Sequence, residues 1–257
     1  MSQPATKSAP QSGPQDAPRA IPKVGGDDVV IAARRLSLWY GQVIGINDIT
    51  IDIGSGVLGL LGPNGAGKST FMKVLTGQLR PSTGNIAING QIVWNNTEVM
   101  SQLGFVPEQD AFYEEMTGRD FVTYLTRLQG FGADDARSLA DAAIAQVNLT
   151  EQAGRKIREY SKGMRQRIKI AQALAHKPNV LVLDEPLAGT DPVGRRHIIS
   201  LIKGLGDEGK TVLVSSHVLT EVERFAENIL VIVNGKLAAA GDYRAIREKI
   251  DAHPHAV

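Results

Sequence analysis

Residues 62–69 read GPNGAGKS, which fits the pattern G-x-x-x-x-G-K-[ST]. Glycines let a backbone curl until its N–H groups converge on an anion, and the N-terminus of a following helix adds positive potential. In such a loop Lys68 can reach the β and γ oxygens of a nucleoside triphosphate, and the Ser69 hydroxyl can ligate Mg²⁺. An apolar run precedes the segment, and a predicted helix at 68–77 follows it. This strand–loop–helix context argues against a chance glycine-rich turn. The residues that we predict to bind nucleotide here are Gly62, Asn64, Gly65, Ala66, Gly67, Lys68, Ser69 and Thr70.

A pair of carboxylates ends a second apolar run, VLVLDEP at 180–186. Ligands bind at the C-terminal ends of strands in open α/β sheets. Asp184 therefore suits the shell of a Mg²⁺ ion, and Glu185 suits orienting and deprotonating an attacking water. A solvated acidic strand end is the alternative, and it is common where such a pair stands alone. Together with segment 62–69 the pair predicts hydrolysis of a nucleoside triphosphate, and the N-K-x-D sequence with which GTPases read guanine is absent.

Residues 160–167, YSKGMRQR, resemble the signature motif of ATP-binding cassette (ABC) ATPases, in a form frequent in exporter-type members. The common form is L-S-G-G-Q, so Lys162 replaces a glycine and Met164 replaces the glutamine. The hydroxyl of Ser161, the backbone amide of Gly163 and a helix N-terminus aimed at an anion are retained. An ordinary serine N-cap is an equally valid structural interpretation. The resemblance implies that this motif acts across a dimer, on the γ-phosphate held by the partner's phosphate loop.

Three further positions match the family in order. Asp191 resembles the acidic residue of the D-loop, and the resemblance implies a role in communication between cassettes. His217 follows the apolar run TVLVSS and resembles the switch histidine that contacts the γ-phosphate. Tyr40 resembles the aromatic residue that stacks on adenine, with core packing as the alternative. Trp39 is the weaker candidate, because neighbouring side chains of a strand face opposite ways.

One element departs from the family pattern. The family places glutamine directly after a proline at a strand end, whereas residues 104–109 read GFVPEQ. Glu108 holds the aligned position, and Gln109 has the expected chemistry one residue later. Either side chain could reach Mg²⁺ or the attacking water, and both alternatives stay open. If Gln109, which has the expected side chain, fills this role, the predicted metal ligands are Ser69, Asp184 and Gln109.

Apolar strand-like runs alternate with helical patterns over about 29–250, which predicts an α/β fold with a mostly parallel sheet covered on both faces. The resemblance refines this expectation to a RecA-like P-loop NTPase body with an N-terminal antiparallel β lobe and an inserted helical lobe at about 105–160. We place the ATPase domain at 28–250. Residues 1–27 are rich in Pro, Ser, Gln and Ala and predict a disordered tail, inert or acting as a tether. Residues 251–257 form a C-terminal tail.

The composition restricts the class of partner. Lys and Arg number 28 against 27 Asp and Glu, so the net charge of +1 offers no field for a polyanion, and we expect no nucleic acid partner. Cysteine is absent, which excludes disulfides and thiolate metal sites. No apolar run approaches the ~20 residues that cross a bilayer. If the protein works at a membrane, another chain must supply the span.

These observations lead to two hypotheses. The favoured one is an ATPase subunit that uses ATP and Mg²⁺ to drive transport, most simply export, through a separate transmembrane permease. It would act as a peripheral protein on the cytoplasmic face of the membrane and pair with itself or with a paralogous cassette. The alternative is a soluble ATP-driven switch acting on a ribosome or DNA. Relatives of that kind usually fuse two cassettes or carry long coiled coils and tend to be basic, and this chain shows none of these features. Neither hypothesis specifies a transported substrate.

Overall fold

Two β-sheets and a group of helices make up residues 21–252, the part of the chain that this computed structural model describes. Residues 1–20 and 253–257 of the two predicted tails lie outside the described residues. The elements follow the expected division into a β lobe, an α/β body and a helical lobe. The α/β class and the P-loop NTPase architecture predicted from the sequence are confirmed.

The β lobe is a five-stranded sheet with the spatial order β1-β3-β2-β5-β6. Its strands are β1 (Lys23–Val24), β2 (Ile31–Tyr40), β3 (Val43–Ile53), β5 (Thr83–Ile88) and β6 (Gln91–Ile92). Alternate residues of β3, namely Ile49, Ile51 and Ile53, are fully buried, as expected for a strand with one face on a core. All pairings in this sheet are antiparallel except that of β1 with β3.

The position of β1 corrects the predicted boundary between the tail and the domain. Lys23–Val24 lies within the predicted disordered segment 1–27, yet it pairs with Asp52 and Ile53 of β3. The apolar side chain of Val24 is buried, and the backbone carbonyl oxygen of Val24 accepts a 2.8 Å bond from the Gly54 amide. The fold therefore begins before residue 28, because a buried side chain and the backbone bonds of β3 hold this stretch in place.

The body is a six-stranded sheet with the spatial order β11-β10-β4-β9-β8-β7. Its strands are β4 (Gly56–Leu61), β7 (Leu103–Val106), β8 (Val180–Leu183), β9 (Thr211–Ser216), β10 (Asn228–Val233) and β11 (Lys236–Asp242). Only β11 runs antiparallel to its neighbour. Every residue of β8 and β9 is buried, and Val180 and Val182 pack into one core while Leu181 and Leu183 pack into the other. The predicted mostly parallel sheet, covered on both faces, is thus confirmed.

The helices cover the two faces of the body and form the helical lobe. They are α1 (Lys68–Leu75), α2 (Thr97–Ser101), α3 (Gly118–Leu128), α4 (Ala133–Gln146), α5 (Lys162–Leu174), α6 (Pro192–Asp207), α7 (Leu219–Val222) and α8 (Tyr243–Ala252), with a 3₁₀ turn at Ile157–Glu159. The lobe consists of α3, α4 and the 3₁₀ turn, which bury Phe121, Val122 and Ile144 against α5. The lobe was predicted to begin near 105, but β7 belongs to the body sheet, so the helices begin at Gly118. At the C-terminal end α8 continues to Ala252, beyond the predicted boundary at 250, since Tyr243 and Ile246 anchor it in the core.

The pH dependence of stability is expected to include a contribution from His176, which follows α5. Its Nε2 lies 3.1 Å from the carbonyl oxygen of Leu103. Burial lowers the pKa of His176 below its ordinary value of about 6.5, although the bond to that carbonyl opposes the shift. The unfolded chain then binds more protons than the folded chain, so the free energy of unfolding falls as the pH drops through about 6.5 towards the folded pKa.

Urea unfolding of wild type and His176→Gln at about pH 7.5 and about pH 5.5 measures this contribution. Wild type should lose more stability than the variant between the two values. His197→Gln, at an exposed position of α6, serves as the control and should behave as wild type. Equal losses in wild type and His176→Gln would contradict the prediction.

Candidate functional site

The ends of three neighbouring parallel strands define the site. In the register of β9 with its two neighbours, Leu61 of β4 pairs with Ser216, and Leu183 of β8 pairs with Val214. One residue further along each strand, Gly62 therefore lies beside His217, and Asp184 lies beside Ser215. The predicted phosphate loop and carboxylate pair thus emerge at one edge of the sheet, on either side of β9.

The phosphate loop takes a path that only glycine allows at several positions. Gly65 and Gly67 have φ values of 79° and 109°, in the left-handed region. A Cβ on Gly67 would lie 2.5 Å from the carbonyl oxygen of Gly45, and one on Gly62 would overlap the carbonyl oxygen of Ile232. The loop is also held from outside, since the amide of Gly235 donates a 2.8 Å bond to the Ala66 carbonyl. The conformation of the loop is therefore built into its glycine spacing.

Lys68 begins α1 directly beneath this loop. Its side chain is buried, and Nζ donates to the carbonyl oxygens of Gly62 and Pro63 at 2.8 and 3.2 Å. Gly67 is the N-cap of α1 and provides no side-chain acceptor for the first helical amides. Those amides, together with the ammonium group, fit an anion at the helix N-terminus. Ser69 and Thr70 follow in the first turn, and Asn64 is exposed on the loop.

The two carboxylates after β8 are joined through Ser215. The Ser215 hydroxyl donates a 2.6 Å bond to Asp184 Oδ1 and accepts a 2.8 Å bond from the Glu185 amide. All three residues are buried. Glu185 has a φ of 48°, which is uncommon for a residue with a side chain and is typical of functional sites held by their surroundings. The sequence analysis did not identify Ser215. The two serines that end the run TVLVSS could have indicated it, but only once the strand register is known.

Glu185 also contacts Lys68 and His217, the two residues that we predicted to reach the γ-phosphate. Nδ1 of His217 lies 3.1 Å from both Oε1 and Oε2 of Glu185, and Nζ of Lys68 lies 4.0 Å from Oε1. The Glu185 carboxylate is buried, whereas the His217 side chain is 49% exposed. The structure thus brings Lys68, Glu185 and His217 together, with the histidine at the open side. A carboxylate in this position is placed to accept a proton from a water beside a bound anion.

Tyr40 stands next to the phosphate-loop helix. Its side chain is 47% exposed, and its hydroxyl lies 3.4 Å from Oγ1 of Thr70. A Cβ on Gly45 would lie 2.9 Å from the Tyr40 ring, so the glycine leaves room for it. Trp39 instead lines a groove with Arg34, Arg35 and other residues of the β lobe. Of the two aromatics, Tyr40 is the one beside the predicted nucleotide loop.

The segment after β7 emerges beside Asp184. Val106 pairs with Leu183, and the Asp184 amide donates a 2.8 Å bond to the Val106 carbonyl. Glu108 and Gln109 follow at once, and both are exposed. Residues 108–109 thus follow directly after a strand end at this edge, and the role of Glu108 or Gln109 there stays a prediction.

Ser161, Gly163 and Asp191 form a second group at the starts of α5 and α6. The Ser161 hydroxyl accepts a 3.3 Å bond from the Met164 amide, so the residue is an N-cap as expected. The Asp191 carboxylate caps α6 by accepting from the amides of Val193 and Gly194. The Gly194 bond is the largest cause of a lowered pKa at Asp191. A Cβ on Gly163 would lie 3.1 Å from Asp191 Oδ1, so the small residue lets the two helix ends meet.

Comparisons with known proteins agree with this geometry. A family model described as ABC transporter matches residues 46–188, which include the phosphate loop and the carboxylate pair. The linearmycin resistance ATP-binding protein LnrL of Bacillus subtilis (strain 168) is 36% identical over 214 residues, 82% of this chain and 69% of the relative. The Nod factor export ATP-binding protein I of Burkholderia orbicola (strain AU 1054) is 35% identical over 217 residues, 84% of this chain and 71% of the relative.

A dimeric structure of a bacterial ABC transporter cassette superposes with a TM-score of 0.76 at 25% identity, covering 83% of this chain and 99% of that chain. The chain spans between 59% and 71% of the length of such curated relatives. Within residues 21–252, no helix has the length and apolar character needed to cross a bilayer.

Replacing Ser215 by alanine should lower the free energy of unfolding by about 1–3 kcal/mol, because a buried carboxylate and a buried amide each lose a partner. Denaturant unfolding monitored by circular dichroism measures the loss. Ser200→Ala, at an exposed position of α6, is the matched control. If the two variants are equally stable, the bridging hydroxyl contributes nothing to the fold.

Proposed function

The chain belongs to the ABC transporter family as an ATP-binding, ATP-hydrolysing protein, and from this premise we propose that it powers export of a substrate through a separate membrane permease. The observation that carries the catalytic part is the meeting of Lys68, Glu185 and His217 at the ends of β4, β8 and β9. The relatives are named as ATP-binding proteins for linearmycin resistance and for Nod factor export, which supports the transport part. The soluble switch on a ribosome or DNA is not favoured by these similarities.

The triphosphate of ATP is proposed to lie in the loop 62–67 with the first turn of α1. The amides of Gly65 and Gly67 would surround it, while the Ala66 amide donates to the Pro63 carbonyl and holds the loop. Asn64 lies at the rim of the loop, and Lys68 contributes a positive charge from below. Tyr40 lies on the side of α1 where an adenine ring could stack on it. The absence of a side-chain cap at Gly67 supports this placement, because the helical amides keep their hydrogen-bonding capacity for an anion.

The residues at the strand ends also fit Mg²⁺. When bound, this ion neutralises charge on the phosphate oxygens. Asp184 and the Ser69 hydroxyl are the proposed protein ligands, with Gln109 or Glu108 from the neighbouring segment. Within the part of the chain described, no group of three or more acidic, His or Cys side chains could hold a metal. The proposed ligands would leave the rest of the Mg²⁺ shell to water and substrate oxygens, as is usual for this ion.

Glu185 is the proposed general base. Its carboxylate would accept a proton from the attacking water, and its buried position favours that role over a solvated acid. His217 donates from Nδ1 to this carboxylate, which holds the base in one orientation and places the other edge of the imidazole at the open side. Lys68 lies close enough to both the loop and Glu185 to counter charge that develops during phosphoryl transfer.

Two cassettes are proposed to enclose the nucleotide between them. Ser161 is exposed at the start of α5, where a second molecule can reach it, and the nearby Gly163 contributes a helical amide. These groups would contact ATP held by the partner's phosphate loop, with Asp191 beside them as the link to α6. The similarity to a cassette solved as a dimer supports this arrangement. The partner is either a second copy of this chain or a paralogous cassette.

The permease is proposed to dock on an aromatic surface formed by Phe112, Tyr113 and Tyr124, on the cytoplasmic side of the membrane, with the buried Phe121 packed beneath it. Tyr113 and Tyr124 meet edge to face with ring centroids 5.8 Å apart, and they are 55% and 40% exposed. Exposed aromatic groups of this kind are typical of protein interfaces. The surface continues directly from the segment that carries Glu108 and Gln109, so a partner there could sense the nucleotide site.

The substitution Glu185→Gln tests the catalytic proposal. The variant should bind ATP, lose steady-state hydrolysis by orders of magnitude and accumulate as an ATP-bound dimer, because the amide cannot take the proton. Phosphate release and size-exclusion chromatography with ATP measure both effects. Lys68→Ala, in contrast, should lose tight nucleotide binding. Turnover retained by Glu185→Gln would exclude this residue as the base.

Co-purification from detergent-solubilised membranes tests the transport proposal. A tagged chain should carry a multi-span membrane protein with it, identified by mass spectrometry. The double substitution of Tyr113 and Tyr124 by alanine should release that protein while ATP binding persists, and Trp94→Ala provides a control at an exposed aromatic away from this surface. Recovery of the wild-type chain without any membrane protein would oppose the permease assignment.

A further inference from the structure

Lys169 is a buried lysine in the third turn of α5, outside every motif considered so far. Only 6% of its side chain is exposed. Burial of a charged side chain is costly unless hydrogen-bonding partners replace the lost water, so such a residue is expected to have a specific set of contacts. Neither the phosphate loop nor the carboxylate pair uses this side chain.

All three N–H donors of the Lys169 ammonium group have an acceptor in the segment after β7. Nζ lies 2.9 Å from the Pro107 carbonyl oxygen, 3.2 Å from the Glu108 carbonyl oxygen and 2.9 Å from Asp110 Oδ1. A lysine carries three N–H donors and no acceptor, so this set is complete. Two of the three acceptors belong to the backbone, which means that the contact fixes the path of the chain and not only a side chain.

We propose that Lys169 is a positioning residue for ATP hydrolysis, which holds residues 107–110 so that the side chains of Glu108 and Gln109 stay beside Asp184. This inference rests on the proposed function, because that function assigns Glu108 or Gln109 to the metal. It extends that function by naming the group that orients them. Lys169 touches neither nucleotide nor metal and acts through the backbone of the segment.

The segment depends on such anchors because residues 107–116 contain no helix or strand. At its start, β7 places Pro107 next to Asp184, and Lys169 then fixes the next carbonyls. Without the ammonium group, the carbonyls of Pro107 and Glu108 would lose their donor at a part-buried position. The exposed side chains at 108 and 109 would then sample more orientations than hydrolysis requires.

Helix α5 also contacts residues 107–116 through Arg165, one turn before Lys169. Arg165 donates to Glu114 Oε1 and Oε2 at 2.6 and 2.8 Å, and its guanidinium lies 5.5 Å from the centre of the Phe112 ring. Arg165 thus fixes the aromatic surface, and Lys169 fixes residues 108–109. Both side chains project from α5, whose N-cap is Ser161. A shift of the aromatic surface would therefore reach Glu108, Gln109 and the signature motif through one rigid element.

Steady-state ATP hydrolysis with Mg²⁺ titrated tests the proposal on purified full-length protein. Lys169→Met keeps the apolar stem and removes the donors, so kcat per folded molecule should fall about tenfold, as expected for misplaced groups. The half-saturating Mg²⁺ concentration should rise, while the KM for ATP should change by less than about twofold, since the phosphate loop is intact. Lys169→Arg should restore most of kcat, and Lys203→Met, at an exposed position of α6, is the matched control.

A merely structural role would lower the melting temperature and the folded fraction but would leave the Mg²⁺ requirement of the folded molecules unchanged. That result, or an unchanged kcat in Lys169→Met, would overturn the proposal. If Lys169→Met does not fold, Lys169→Gln decides, because a shorter, neutral amide keeps a polar group in the buried position but cannot serve the Pro107 carbonyl, the Glu108 carbonyl and Asp110 together. A lower kcat with a raised Mg²⁺ requirement supports the proposal, and wild-type values overturn it.

Glu185→Gln is measured in parallel so that the two proposals fail separately. Hydrolysis that persists in Glu185→Gln removes the proposed base and, with it, the basis of this inference. Hydrolysis that needs Glu185 but is indifferent to Lys169 removes the positioning role alone.

Discussion

Parallel pairing of β4, β9 and β8 is the constraint on which the site depends. Each strand ends in a different chemical group: the phosphate loop after β4, the carboxylates after β8, and Ser215 with His217 at the end of β9. Since a shift by one residue would turn alternate side chains to the opposite face, the register must be held strictly. The two apolar cores hold it by burying both faces of β8 and β9. The position of Glu185 relative to Lys68 is therefore a consequence of core packing.

Helix α5 joins the nucleotide site to the rest of the molecule. Its N-terminus carries residues 160–167, which resemble the signature motif, and its buried face packs on the helical lobe. Arg165 and Lys169 hold the segment between β7 and the lobe. A helix is stiff over this length because its backbone bonds are internal. A displacement at the aromatic surface would consequently be transmitted along α5 as a rigid movement. Through such a movement the proposed permease would be coupled to the nucleotide site.

The phosphate loop, the carboxylate pair and the alternating strands and helices could be predicted from the sequence because each depends on neighbouring residues. Ser215 and Lys169 could not be predicted, since their partners lie 31 residues and about twice that distance away along the chain. The boundary at residue 28 was wrong for a similar reason: β1 has little apolar character of its own and exists through its pairing with β3. The choice between Glu108 and Gln109 depends on side-chain orientation in an irregular segment, which neither pattern nor register decides.

The sequence by itself determined the local chemistry of this protein: where the backbone can curl around phosphate, which residues carry carboxylates, and which helix ends are free to face an anion. These properties follow from the φ range of glycine, the side chains present and helix capping, all of which act within a few residues. Only the tertiary structure decided that Ser215 bridges Asp184 and Glu185, that His217 faces the same carboxylate as Lys68, and that Lys169 reaches the segment after β7. Such contacts require strand register and burial, which arise when distant parts of the chain share one core.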